Sequence, residues 1–200
     1  MIKNKKHTSI IHPTAVIEQD VQIGNNVAIW HFVHIREGAK IDDNVSLARD
    51  VYIDKNVHVG EGTRIQNGVS VYSGLEIGKY CFIGPHVIFT NDLVPRSTNK
   101  RWSLLPTILK TGCSIGAGSI LICGVTIGEF ALVGAGSVVT QKVSPFHLVM
   151  GSPARVKKMI CACGATSLPL GTSCKSLVAK CCLKNLKKEV ISLAKSCARK

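Results

Sequence analysis

The chain has 200 residues, 46% of them hydrophobic, and a formal net charge of +13. That length suits one main domain with an appendage. No apolar run is long enough to span a bilayer, and the basic start from Met1 to His7 is not followed by a hydrophobic signal segment, so a cytoplasmic protein without transmembrane segments is expected. In that compartment the nine cysteines stay reduced, which excludes a disulfide framework.

From Ile11 onward every sixth residue is large and apolar: Ile11, Ile17, Ile23, Ile29, Ile35, Ile41, Leu47, Ile53, Val59, Ile65, Val71, Ile77, Ile83 and Phe89. At this composition such a run has a chance on the order of 10⁻⁵ in a given frame, so it is a repeat. A second column, four residues later, is small or apolar, from Ala15, Val21 and Val27 through Thr63 and Cys81 to Leu93. The pattern resumes at Leu109, Ile115, Leu121, Ile127, Val133 and Val139. A period of six fits neither a 3.6-residue helix nor an alternating strand. It fits a chain that turns a corner every six residues.

The spacing therefore predicts an all-β fold, a left-handed parallel β-helix in which three hexapeptides make one triangular coil. Twenty hexapeptides give about seven coils over residues 10–154, after an N-terminal tail at 1–9. The first residue of each hexapeptide points into the prism, and the fifth lies near a corner. Gly, with Asn25, Asn26, Asn44, Asn56 and Asn67, supplies the positive φ of tight turns. A β-sandwich of short strands does not explain an unbroken period of six. One hexapeptide buries almost nothing alone, whereas a stack buries an aliphatic core at roughly 1.5–3 kcal/mol per large side chain.

Twenty residues separate Phe89 from Leu109, and the break runs from Asn91, Asp92, Leu93, Val94, Pro95 and Arg96 to Lys100, Arg101 and Trp102. A solenoid that extrudes one polar, Pro-containing loop places it at its functional face, although loop closure alone would tolerate an insertion there. Spacing of 18 superposes residues of successive coils. It gives outward columns His31–Arg49–Asn67–Pro85, His34–Tyr52–Ser70 and Glu37–Lys55–Ser73–Asn91. An outward histidine is equally explained as a solvated or interface side chain, and His58 and His147 are assigned no role.

The repeat ends at Gly151-Ser152-Pro153-Ala154-Arg155. Residues 1–154 carry 14 Lys/Arg and 11 Asp/Glu, and residues 155–200 carry 11 Lys/Arg and only Glu189. This C-terminal extension is read as basic, Cys-containing, partly helical over 176–197 and otherwise solvated. Cys161-Ala162-Cys163-Gly164 resembles half of a zinc ribbon. No second Cys-x-Cys or Cys-x-x-Cys pair follows, since the later cysteines are Cys174, adjacent Cys181 and Cys182, and Cys197. No metal is expected on that spacing.

Several stretches are more specific than the repeat: Trp30-His31-Phe32-Val33-His34, Gln66-Asn67-Gly68-Val69-Ser70-Val71-Tyr72, Gly84-Pro85-His86-Val87, Phe89-Thr90-Asn91-Asp92 and Gly151-Ser152-Pro153-Ala154-Arg155. Over residues 10–160 the chain resembles the hexapeptide-repeat nucleotide-sugar N-acetyltransferases. Phe-Thr-Asn-Asp at 89–92 is more similar to the branch acting on dTDP-linked 3-amino-3,6-dideoxyhexoses than to the branch acting on UDP-linked 3-amino glucuronates.

The resemblance implies acetyl transfer from acetyl-CoA to the 3-amino group of such a sugar, for surface-glycan biosynthesis, in a homotrimer with its site between subunits. It implies Asn91 as the residue that positions the amine, with His31 and His34 as candidate bases, although this branch proceeds without an obligatory base. Trp30, Gln66, Asn67, Tyr72, His86, Asp92 and Arg96 are implied around the nucleotide sugar. Gly116, Ala117, Gly134, Ala135, Arg155 and Lys157 are implied along CoA, with glycine-rich turns near pantetheine and the basic residues near phosphates. No nucleic acid partner is expected. Three other readings are weighed: an O-acetyltransferase for another sugar, a zinc carbonic-anhydrase-like enzyme needing three His ligands, and a non-enzymatic scaffold, which leaves the polar loop unexplained.

Overall fold

The computed structural model describes residues 9–98, 103–178 and 180–198. Asn99, Lys100, Arg101 and Trp102, from the expected functional loop, lie outside the described residues, as do residues 1–8 of the N-terminal tail. The chain is a parallel β-helix of two- and three-residue strands on three faces. The first face begins with Ile10–Ile11 and Ala28–Ile29, the second with Val16–Ile17 and His34–Ile35, and the third with Gln22–Ile23 and Lys40–Ile41. Each coil repeats the register of the one before it, as in Ile35 opposite Ile53. Ile83 pairs with Ile115 rather than with the residue at the regular spacing, because the extruded loop lengthens that coil.

The stack has about eight turns rather than the seven expected. His147–Met150 adds a further parallel strand beside Leu132–Val133, and Val143 bridges Ile127 on the third face. Both continue the stack after the hexapeptide spacing has lapsed, so a count of hexapeptides misses them.

Inside the prism both predicted columns are buried. Ile29, Ile35, Leu47, Ile53, Ile65, Ile83, Ile115 and Leu121 are fully enclosed, and so are Val33, Val51, Thr63 and Val69 from the second column. Ile11 is 45% exposed because no coil lies beneath it among the described residues, and Leu93 is 58% exposed because the chain has already left the repeat. The hydroxyl of Thr63 in this column is satisfied: Thr63 Oγ1 donates to Gly78 O and accepts from Cys81 N.

Left-handed turns stack at the corners. Asn26, Asn44 and Asn56 take positive φ as expected, whereas Phe32, Tyr80, His86, Phe130 and Phe146 take it unexpectedly. At the corner between the third and first faces the rings of Tyr80 and Phe130 lie across glycines of the coil below. A Cβ on Gly112 would stand 2.5 Å from Phe130 Cε1.

Those rings form a platform for the C-terminal residues. Strand Arg155–Ile160 runs antiparallel to His147–Met150, and Ser167–Leu168 pairs with it in turn. A 3-10 turn at Cys174–Leu177 precedes helices α1 (Lys180–Asn185) and α2 (Lys188–Cys197). Leu177, Val190, Ala194 and Ala198 bury against Phe130 and Phe146, whose rings stack at 5.4 Å. The expectation of a solvated extension is corrected here, because the aromatic corner was not legible as a docking surface. The expected helix over 176–197 is divided at Lys187, whose backbone is extended. No helix among the described residues is long and apolar enough to cross a membrane.

Ile83 sits at mid-stack with no exposure. Ile83→Ala is expected to cost about 2–5 kcal/mol and to lower the denaturation midpoint. Circular dichroism in a urea series checks this.

Candidate active site

The second face carries an unbroken outward ladder. Register places Val16 beside His34, His34 beside Tyr52, Tyr52 beside Ser70, Ser70 beside Ile88, Ile88 beside Ile120 and Ile120 beside Val138. Each strand's other residue points into the prism, so these side chains are free of the core's demand for aliphatics. Two stacks of turns flank the ladder.

The turn stack leading into the face holds Trp30, His31, Gln66, Asn67 and His86. His31 stacks on His12 at 3.6 Å between ring centroids, and Arg49 lies 5.7 Å above the Phe32 ring. Peptide groups tie these turns together: His31, Asn67 and Ala117 carbonyls accept from Asp50, His86 and Gly136 respectively. In the upper coils the same stack becomes small at Gly116-Ala117 and Gly134-Ala135, with the two alanines exposed. Glycine at 84 is required by stacking, since a Cβ there would lie 2.7 Å from Ala117 N. The N–H groups of Ala117 and Ala135, one coil apart, have no backbone acceptor among the described residues.

The turn stack leaving the face holds an ionic column that the sequence reading did not single out. His34 Nε2 lies 2.8 Å from Glu18 Oε1, and Arg36 Nε lies 3.0 Å from the same oxygen. Arg36 Nη1 donates to Tyr52 Oη at 3.2 Å, and Tyr52 Oη donates to Asp54 Oδ1 at 3.1 Å. Tyr52 also faces the edge of His34 at 5.5 Å and approaches Tyr72 at 6.2 Å. A signal was present: Glu18, Arg36, Asp54 and Tyr72 follow one another at the coil spacing, and the first three alternate in charge.

The loop leaves from this same edge. Thr90 Oγ1 accepts from Cys123 N at 2.9 Å, which fixes the exit and places Asn91 at the rim of the face. Asp92 Oδ1 accepts from Val94 N at 2.9 Å, and Arg96 donates to Pro95 O at 2.9 Å. The chain returns at Thr107, whose N–H donates to Gly74 O at 3.0 Å. Tyr72 and Asn91 therefore lie at the leaving edge, with Asp92 and Arg96 on the loop that departs from it and His34 on the ladder beside it. Trp30, His31, Gln66, Asn67 and His86 gather at the entering edge. Among the described residues no hydrogen bond or ring contact joins the two groups.

Above Val138, Ala154 N donates to Val138 O, and Val138 N donates to Gly151 O. The Gly151–Ala154 turn thus closes the top of the ladder and launches the strand carrying Arg155 and Lys157, both exposed.

Residues 56–91 match the model of the bacterial transferase hexapeptide repeat, and residues 106–141 match the hexapeptide repeat of succinyl-transferase. The chain is 47% identical over 162 residues to dTDP-3-amino-3,6-dideoxy-α-D-galactopyranose 3-N-acetyltransferase of Aneurinibacillus thermoaerophilus, spanning 81% of this chain and 84% of that protein. This chain belongs to the hexapeptide-repeat nucleotide-sugar N-acetyltransferases.

Two solved structures are similar to it. One is a maltose O-acetyltransferase from Clostridium difficile 630, with a TM-score of 0.53, 25% identity and 71% of each chain covered. The other is a GDP-perosamine N-acetyltransferase from Caulobacter crescentus, held with CoA and GDP-perosamine. It has a TM-score of 0.50 and 25% identity over 76% of this chain and 57% of that one.

Within this family member the ionic column sets the protonation of the leaving edge. The hydrogen bond from His34, with those from Glu37 N–H and Arg36, holds the Glu18 carboxyl below its ordinary value despite partial burial. Burial pushes Asp54 upward but is outweighed by N–H donors from Lys55 and Ser73 and by Tyr52, so Asp54 is also lowered. Tyr52 and Glu18 raise Arg36, which stays cationic. A carboxylate with a lowered folded value stabilises the fold above its ordinary value and loses that contribution as pH falls through the lowered one. The melting temperature of the unsubstituted protein should exceed that of Glu18→Gln near neutral pH, and the gap should shrink on acidification below the ordinary carboxylate value. A gap unchanged down to the acid limit of folding would contradict the pairing.

Proposed function

We propose that the chain transfers an acetyl group from acetyl-CoA to the 3-amino group of a dTDP-linked 3-amino-3,6-dideoxyhexose. The 47% identity to an enzyme of that name, spanning 84% of its length, carries this reading. The polar Asn91-Asp92 rim at the edge of this face supports it. The reaction belongs to surface-glycan biosynthesis and runs in the cytoplasm. Residues 10–154 form the transferase domain, and 155–200 form an extension that contributes Arg155 and Lys157.

The amine must be neutral to attack. Its lone pair forms the C–N bond at the thioester carbonyl, an oxyanion develops, and the C–S bond breaks. The departing thiolate of CoA takes the ammonium proton, so the balance requires no separate base. Asn91 accepts from an amine N–H through its carboxamide oxygen and aims the lone pair at the carbonyl, a positioning role. Peptide N–H groups at Ala117 and Ala135, beside Gly116 and Gly134, receive the acyl-pantetheine arm, and donors of this kind favour developing negative charge. Arg155 and Lys157 meet the CoA phosphates. Trp30, Gln66, Asn67, Tyr72, His86, Asp92 and Arg96 bind the nucleotide sugar.

One observation favours a second reading of the proton's path. His34 is held by Glu18 at 2.8 Å, an arrangement that orients an imidazole at the edge of the face. His31 is instead stacked on the His12 ring.

A single chain offers one wall, and that wall is apolar in places. Trp30, Phe32, Val16 and Ile88 are 43%, 56%, 54% and 52% exposed on or beside the face. Covering them in a homotrimer encloses both substrates between subunits. Light scattering is expected to give the mass of three chains, and an active monomer would contradict this.

Asn91→Ala should lower kcat at least about tenfold, roughly 1.4 kcal/mol, with an unchanged circular dichroism spectrum. An unchanged kcat would move the amine-positioning role elsewhere. His31→Ala and His34→Ala should retain turnover. Abolished activity, or loss of a near-neutral ionisation from the kcat/KM profile, would make that histidine the base. A thiol-release screen with acetyl-CoA and dTDP- and UDP-linked 3-amino sugars tests the activity itself. Turnover with dTDP substrates is expected, preference for UDP substrates would reassign the nucleotide, and no thiol release with any of them would overturn the reading.

A further inference from the structure

Four thiols from two distant segments converge beside the last strand. Cys161 Sγ lies 3.6 Å from Cys163 Sγ and 3.5 Å from Cys181 Sγ, and Cys163 Sγ lies 3.5 Å from Cys181 Sγ. With Cys182 the four sulfurs all lie within 4.8 Å of one another. A disulfide needs about 2.05 Å, so no pair here is bonded. A zinc ion with Zn–S bonds of about 2.3 Å places tetrahedral thiolates about 3.8 Å apart, close to the spacings found.

The surroundings suit thiolates. Thr166 N donates to Cys161 Sγ at 3.3 Å, and Thr166 Oγ1 lies 3.5 Å from Cys181 Sγ. The Cys161–Gly164 segment is a tight turn: Gly164 N donates to Cys161 O at 2.8 Å, and Gly164 has φ +76. Cys161 and Cys182 are buried, whereas Cys163 and Cys181 are half-exposed, which leaves a way in. Residues 155–200 carry 11 Lys/Arg against one acid, so a doubly negative tetrathiolate centre sits in a cationic segment. Spacing along the chain argued against this site, because Cys181 and Cys182 are adjacent. Placed in the first turn of α1, their side chains both reach the Cys161–Cys163 turn.

We infer that Cys161, Cys163, Cys181 and Cys182 form a structural zinc(II) site that clamps α1 and α2 to the strand running from Arg155 to Ile160. The site has four protein ligands and no open position, so it has no part in acetyl transfer and stands independently of that reading. Binding displaces the thiol protons and forms four Zn–S bonds with no change of oxidation state.

The test is the metal content of the full-length protein, purified under reducing conditions without chelators, supplied with zinc chloride and then desalted. About one zinc per chain is expected by elemental analysis. Replacement with cobalt(II) should give the visible absorption of tetrahedral thiolate coordination. Cys163→Ser and Cys181→Ser should each lose most of the zinc, and Cys123→Ala, a buried thiol in the β-helix, should keep it. Stripping zinc should expose the bond after α1 to limited proteolysis while the β-helix stays intact. Unsubstituted protein that retains less than about a tenth of an equivalent would overturn the proposal, as would full retention by both serine variants. The unsubstituted measurement decides the matter even where a variant fails to fold.

Discussion

Everything on the outside of this molecule follows from one constraint, the parallel stacking of each coil on the one before it. A peptide N–H on every strand reaches a carbonyl of the neighbouring coil, as from Ile10 to Val27 and from Gln22 to Ala39. The inner residue of each strand within the stack then has an apolar neighbour above and below, and burial of that column supplies the stability. Left-handed turns at the corners keep the register, so no coil slips relative to the next. Outward side chains are consequently brought together by position in the sequence alone. Glu18, Arg36 and Asp54 form a charged column because each lies one coil from the next and for no other reason.

That constraint also explains how a solenoid acquires an edge with chemical character. An insertion leaves the second face at Thr90 and returns at Thr107 without disturbing the coils on either side. Thr90 and Thr107 hydroxyls accept from Cys123 and Gly124 N–H groups, replacing at the break what regular coils do with backbone alone. The polar rim containing Asn91 therefore stands on a rigid base, as the positioning role proposed for Asn91 requires.

Much of this was legible beforehand because the hexapeptide period and the coil spacing are local arithmetic. Ile29, Ile53 and Ile115 are buried where the repeat puts them, and the break after Phe89 is where the chain leaves the prism. What was not legible has particular causes. The eighth turn has no hexapeptide spacing, so His147–Met150 is found only by its pairing. Phe32, Tyr80, Phe130 and Phe146 occupy left-handed turns that propensity assigns to Gly and Asn, and three of them form the corner on which the C-terminal helices rest. The charged column at Glu18 obeys the same spacing as the columns around His31 and His34, and spacing alone does not rank one outward column above another. The thiol cluster depends on how the tail folds back, a proximity that no spacing rule encodes.

The central proposal for this enzyme is that acetyl-CoA and the amino sugar meet on its second face. A crystal structure with CoA and a dTDP-linked 3-amino-3,6-dideoxyhexose tests this most directly. Pantetheine is expected along the Ala117 and Ala135 turns, phosphates near Arg155, and the sugar nitrogen beside Asn91 with a second copy of the chain closing the site. Ligands bound on the third face, or in the hollow between α2 and Tyr80, would contradict it.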